Sequence, residues 1–165
     1  MTARAGSEPP RPAELGAVQL HRTVRAACAS GGEFAERVDA GLTAALSFLA
    51  ADQDLSRELT VLGGDAQTLA AQRRWVAGFG ELLRAAAADL PGAGTVPRFR
   101  DTFLIDGIRF QIARRVLAGE SARLPELRPE LLGIVLVFYG EAAPEQKTCP
   151  GASALAGIEW EARAG

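Results

Sequence analysis

The sequence predicts an all-α protein of about six helices, and three observations carry that reading. Alanine and leucine are abundant while β-branched residues are few, which favours helix over strand. Apolar residues recur three and four positions apart along most of the chain, and strand-type alternation nowhere lasts more than a few residues. The stretch Val96–Gly140 holds two strongly apolar segments joined by the proline-marked elbow SARLPELRPE. The 165 residues suffice for one domain with a sizeable core.

The elements follow in order. Residues 1–12, MTARAGSEPPRP, are rich in Pro, Gly, Ser and charge and lack apolar periodicity, so a disordered lead is expected. The folded domain is expected over residues 13–143. Ala13–Ser30 reads as a first helix with Leu15, Val18, Leu20, Val24 and Cys28 inward and His21, Arg22 and Arg25 near its polar side, closed by Gly31-Gly32. Glu33–Ala51 reads as a second helix, with Phe34, Val38, Leu42, Ala45, Leu46 and Leu49 on one face. Asp52 caps a short third segment, Gln53–Leu62, with Leu55, Leu59 and Leu62 inward. A fourth helix, capped by Asp65, runs to about Asp89 with Leu69, Trp75, Val76, Phe79, Leu82, Leu83 and Ala86 as its apolar face. Residues 90–94, LPGAG, form a loop.

The central pair then begins at Thr95 or Pro97. Its first helix, Arg98–Ala118, carries Phe99, Phe103, Leu104, Ile105, Ile108, Phe110, Ile112, Val116 and Leu117. That set is wider than one stripe, so the helix is expected to be covered on more than one side. Arg114-Arg115 mark a solvent-facing end, where cations suit the helix dipole. The second helix, Pro129–Tyr139, is apolar almost throughout. In so short a chain, the pair is expected to pack on its own domain with one face and on another subunit with the other. Residues 144–165 read as a loose tail in which Trp160 is the one bulky aromatic.

The composition excludes several functions. The formal net charge is −2 and Lys147 is the sole lysine, so there is no basic block for phosphate neutralisation. Cys28 and Cys149 belong to no CxxC or Cys/His cluster, which argues against a disulfide framework or zinc site and for a reducing cytoplasm. Leu131–Tyr139 is far shorter than the ~20 residues that span a bilayer, so no membrane association is expected. Phosphate loops, GxSxG elbows and HExxH pairs are absent, and one histidine gives little to build a catalytic relay from. No enzyme, cofactor or metal is expected. Trp75, Phe79, Phe103 and Phe110 either line a pocket for an apolar small molecule or pack the core. Asp106, Arg109 and Gln111 interrupt the apolar surface of their helix. They face a cavity or a dimer seam, or form a solvated edge with Asp106 and Arg109 paired at i, i+3.

The stretches Glu36–Leu62, AAQRRWVAGFGELLRAA and Asp101–Gly140, with LPEL-x-PEL leading into an apolar helix that ends in FYG, resemble the C-terminal regulatory domain of TetR/AcrR-type transcriptional repressors. The resemblance spans about Ala13–Ala143. It implies a homodimer in which the last two long helices of each subunit form a four-helix bundle, with Leu104, Ile108, Ile112, Leu131, Ile134, Val135 and Phe138 as contacts. It also implies a cavity for a small, apolar effector, with Trp75, Phe79, Phe103, Asp106 and Phe110 as candidate lining. Effector binding in such proteins releases DNA by shifting helix-turn-helix heads. Only MTARAGSEPPRP precedes the first helix here, so a ligand-sensing and dimerisation domain without its own DNA-binding head is expected. The alternative is a headless interaction protein that pairs with a full-length repressor and modulates it.

Overall fold

The computed structural model describes residues 12–61, 63, 66–91 and 97–140. The lead before residue 12, the tail beyond residue 140 with Trp160, and the Asp65 cap lie outside them. The described residues form six α-helices, α1 (Pro12–Cys28), α2 (Phe34–Ala51), α3 (Gln53–Thr60), α4 (Ala66–Ala86), α5 (Arg98–Leu117) and α6 (Arg128–Tyr139), with a 3₁₀ helix at Ser121–Leu127 and no strand. The all-helical fold is therefore as the apolar periodicity predicts.

Local chemistry sets the boundaries. Glu36 reaches back to accept the Glu33 N–H at 3.1 Å, closing one orphan donor at the start of α2. Asp52 takes an extended conformation that breaks α2 from α3, and its carboxylate accepts the Leu55 N–H at 2.9 Å. The buried Ser56 hydroxyl donates to the Leu49 carbonyl, so the end of α2 stays satisfied inside the protein. Gly119 ends α5 at φ +76° and Gly140 ends α6 at φ +75°, a left-handed turn that a side chain would strain.

Helix α2 is the hub: it touches α1, α3, α4, α6 and the 3₁₀ helix. One core cluster joins Leu20, Val24, Leu46, Leu49, Ile112, Leu124 and Leu131; a second joins Phe34, Val38, Leu83, Ala87, Leu104 and Val135. The segment read as an elbow is more than a connector. In 3₁₀ geometry residues three apart eclipse, and Leu124 and Leu127 use that register to enter the core.

The last two helices differ in length and in what they pack on. Helix α5 has 20 residues, but α6 has only 12, about 18 Å. They barely touch each other: α5 packs on α3 and α4, whereas α6 packs on α2. An Arg128–Asp39 fork, with both nitrogens 2.6 Å from separate carboxylate oxygens, ties the start of α6 to α2.

A polar clamp closes the other end of α6. Asp101, buried in the first turn of α5, accepts the Tyr139 hydroxyl at 2.6 Å and the Arg84 guanidinium, joining α4, α5 and α6. Burial, reinforced by the hydrogen bond to Asp101, raises the Tyr139 pKa well above its ordinary value near 10. The unfolded chain then loses this proton first as pH rises. The stabilisation is complete below the ordinary tyrosine pKa and is lost as pH climbs from there towards the raised folded value. Tyr139 is the sole tyrosine. Alkaline titration should therefore give phenolate absorbance that appears together with unfolding, and Tyr139→Phe should remove that share of the alkaline loss in stability.

Candidate functional site: a central apolar cavity and an outer aromatic stripe

Helices α1, α2, α4 and α5 do not close completely on one another. They leave a cavity of about 90 Å³ walled by Leu20, Val24, Cys28, Gly41, Leu42, Ala45, Trp75, Phe79, Leu82, Ile105, Ile108, Arg109 and Ile112, among others. The small side at Gly41 and Ala45 makes the room. A Cβ at Gly41 would lie 2.6 Å from the Cys28 sulfur. Burial pushes the Cys28 thiol pKa up, with Arg37 opposing, so Cys28 enters the wall as a neutral group. Apart from Arg109 the walls are apolar; an engineered apolar cavity of ~150 Å³ stays dry and binds benzene.

Two polar groups stand at the margins. Trp75 packs on Phe79 at 4.7 Å between ring centroids, and Phe79 meets His21 edge-on at 5.5 Å. The Trp75 indole N–H is buried and has no hydrogen-bond partner among the described residues. On this side the Trp75 ring also borders an outer cleft with Glu14, His21 and Arg74. Arg109, only 7% exposed, is the one charged wall residue. It donates to the Thr60 carbonyl at 3.0 Å and, through Nε and Nη2, to a single oxygen of Asp106 at 3.3 and 3.1 Å. It also lines a cleft of about 330 Å³ with Gln72, Arg73, Thr102 and Asp106.

The structure redistributes the residues expected in pocket and interface. Trp75 and Phe79 line the cavity, and Asp106 stands outside it, half-exposed beside Arg109. Phe103 and Phe110 do not line it: they are 68% and 61% exposed. Of the expected dimer contacts, Leu104, Ile112, Leu131 and Val135 are buried within the subunit's own core and offer no surface to another chain. Ile108 faces the cavity, Ile134 is on the surface, and Phe138 is half-buried. The physical reason is helical phase. Leu104, Ile108 and Ile112 face the core, while Phe99, Phe103, Phe110 and Leu117 recur at intervals of four and seven on the opposite side.

That second set was not singled out as a surface by sequence reasoning, although its spacing was the available signal. Phe99 and Leu117 are 74% and 58% exposed, and on α6 Ile134 and Val137 are exposed as well. Phe103 stacks on Phe138 at 6.4 Å, and the Arg100 guanidinium covers the Phe138 ring at 5.3 Å, so α5 and α6 meet at this one end.

Among the described residues, no helix is long and apolar enough to cross a membrane and no group of His, Cys, Asp and Glu is placed to hold a metal ion. Together these features define a helical protein with an internal apolar cavity and an external apolar face. No family model, curated protein or solved structure matches the chain.

Proposed function

We propose that this protein is a ligand-sensing and dimerisation module of the TetR type, which takes a small apolar effector in its central cavity. In this reading, DNA is contacted only through a helix-turn-helix head outside these six helices. One observation carries the proposal: α5 serves both sites. Its inner face supplies Ile105, Ile108, Arg109 and Ile112 to the cavity, and its outer face supplies Phe99, Phe103, Phe110 and Leu117 to the exposed stripe. A ligand that moves α5 at the cavity moves the interface with it, and the coupling is reciprocal.

The test uses the cavity itself. Benzene, titrated against the protein and followed by ligand-detected NMR, should bind and change the dimer dissociation constant. Ala45→Leu adds three carbons at the wall. It should stabilise the fold by about 1 kcal/mol, as cavity-filling changes do, and abolish benzene uptake. Wild-type protein that takes up no benzene, or takes it up with no effect on dimerisation, overturns the sensing role. The outer stripe suits a related chain as well as a second copy. Native mass spectrometry showing mixed dimers with a full-length repressor, in preference to homodimers, would favour the modulator reading.

A further inference from the structure

We infer that the ligand is a small monocarboxylate, with its hydrocarbon portion in the central cavity and its carboxylate on Arg109. The inference rests on the sensing role proposed above and names the chemistry of that site. A buried guanidinium beside an apolar cavity is costly unless its charge and its donors are met. Arg37, Arg84 and Arg115 each hold one carboxylate oxygen, but Arg128 on Asp39, with two bonds of 2.6 Å, and Arg123 on Glu126 take two. Arg109 does not. Its Nε and Nη2 share one oxygen of Asp106 at 3.3 and 3.1 Å, and Nη1 donates to the Thr60 carbonyl. Planar fork-to-carboxylate pairing is the stronger arrangement, and a ligand carboxylate supplies the second oxygen that Asp106 does not.

Asp106 is suited to give way. Its side chain is 47% exposed, so on release it passes into water at little cost. The head group then occupies the cleft of about 330 Å³ that Arg109 shares with Arg73, while the tail enters the cavity of about 90 Å³ that Arg109 also lines. The smaller volume limits the tail to a few carbons. Gln72, 8% exposed, lies in the same cleft. It donates to the Val61 carbonyl at 3.2 Å, and its Oε1 has no donor among the described residues. A hydroxyl beside the carboxylate, or an ordered water, satisfies it.

Calorimetric titration of the full chain with butanoate, hexanoate and the matching alcohols and amines tests this. The expected result is that a carboxylate binds about ten-fold or more tighter than its alcohol, and that the amine is rejected. Asp106→Asn should tighten carboxylate binding, because it frees the fork. A purely structural Asp106–Arg109 ion pair would instead leave affinity unchanged or lower it. Arg109→Lys, which keeps the charge without the fork, should remove the preference for carboxylate over alcohol. Should Arg109→Lys fail to fold, Asp106→Asn still decides the matter. Equal binding of alcohol and carboxylate, unaltered by Asp106→Asn, overturns the carboxylate assignment and leaves the apolar sensing site standing. No binding of any of these compounds, with benzene also excluded, overturns both.

Discussion

Phe103→Glu combined with Phe110→Glu turns the proposed dimer into a monomer. Both rings stand mostly in solvent in the isolated subunit, so the change leaves the subunit's own core untouched. A phenylalanine side chain brought out of water is worth roughly 1.5–3 kcal/mol. A two-fold interface contains each ring twice, so losing four costs about 6 kcal/mol or more, roughly four orders of magnitude in Kd. Burying the new carboxylates without partners adds to that loss. Sedimentation velocity across a micromolar concentration series, with circular dichroism as the check on folding, reads the outcome. A double variant that stays dimeric would place the interface elsewhere. Ile134→Glu, on α6 and only 36% exposed, should weaken association less.

Asp101→Ala should be among the most damaging single changes to the fold. The carboxylate is 3% exposed and takes both the Tyr139 hydroxyl and the Arg84 guanidinium. Its removal leaves two partners from two other helices without an acceptor. Arg84 retains about a third of its side-chain exposure and reaches water, which moderates the effect. The expected loss is roughly 2–4 kcal/mol in urea unfolding. Asp101→Asn keeps an acceptor for Tyr139 and should cost less. A loss under ~1 kcal/mol for the alanine variant would mean that the clamp contributes little beyond the packing around it.

Helix content and most helix boundaries were legible because they depend on neighbours in sequence. The Asp52 cap, Gly119 and Gly140 act within a turn of where they stand. The 3₁₀ helix was not legible. Pro125 and the repeated PEL pattern read as punctuation, and only the core decides that Leu124 and Leu127 face inward. Trp75 and Phe79 were found as cavity lining because they sit on the apolar face of a helix with one clear polar side. Phe103 and Phe110 were misplaced for the opposite reason. Helix α5 is apolar on two sides, and composition alone does not say which side meets the core.

The sequence by itself determined the all-α character of the described residues, the approximate positions of the six helices among them and the double-sided apolar character of α5. Each of these follows from periodicity and capping within a few turns of chain. The tertiary structure alone decided which face of α5 turns inward. It also decided that α6 packs on α2 rather than alongside α5, and that Arg109 lines both an apolar cavity and a polar cleft. Those outcomes depend on contacts between residues far apart in the chain, such as Arg109 with the Thr60 carbonyl and Arg128 with Asp39, and local pattern carries no record of such pairings.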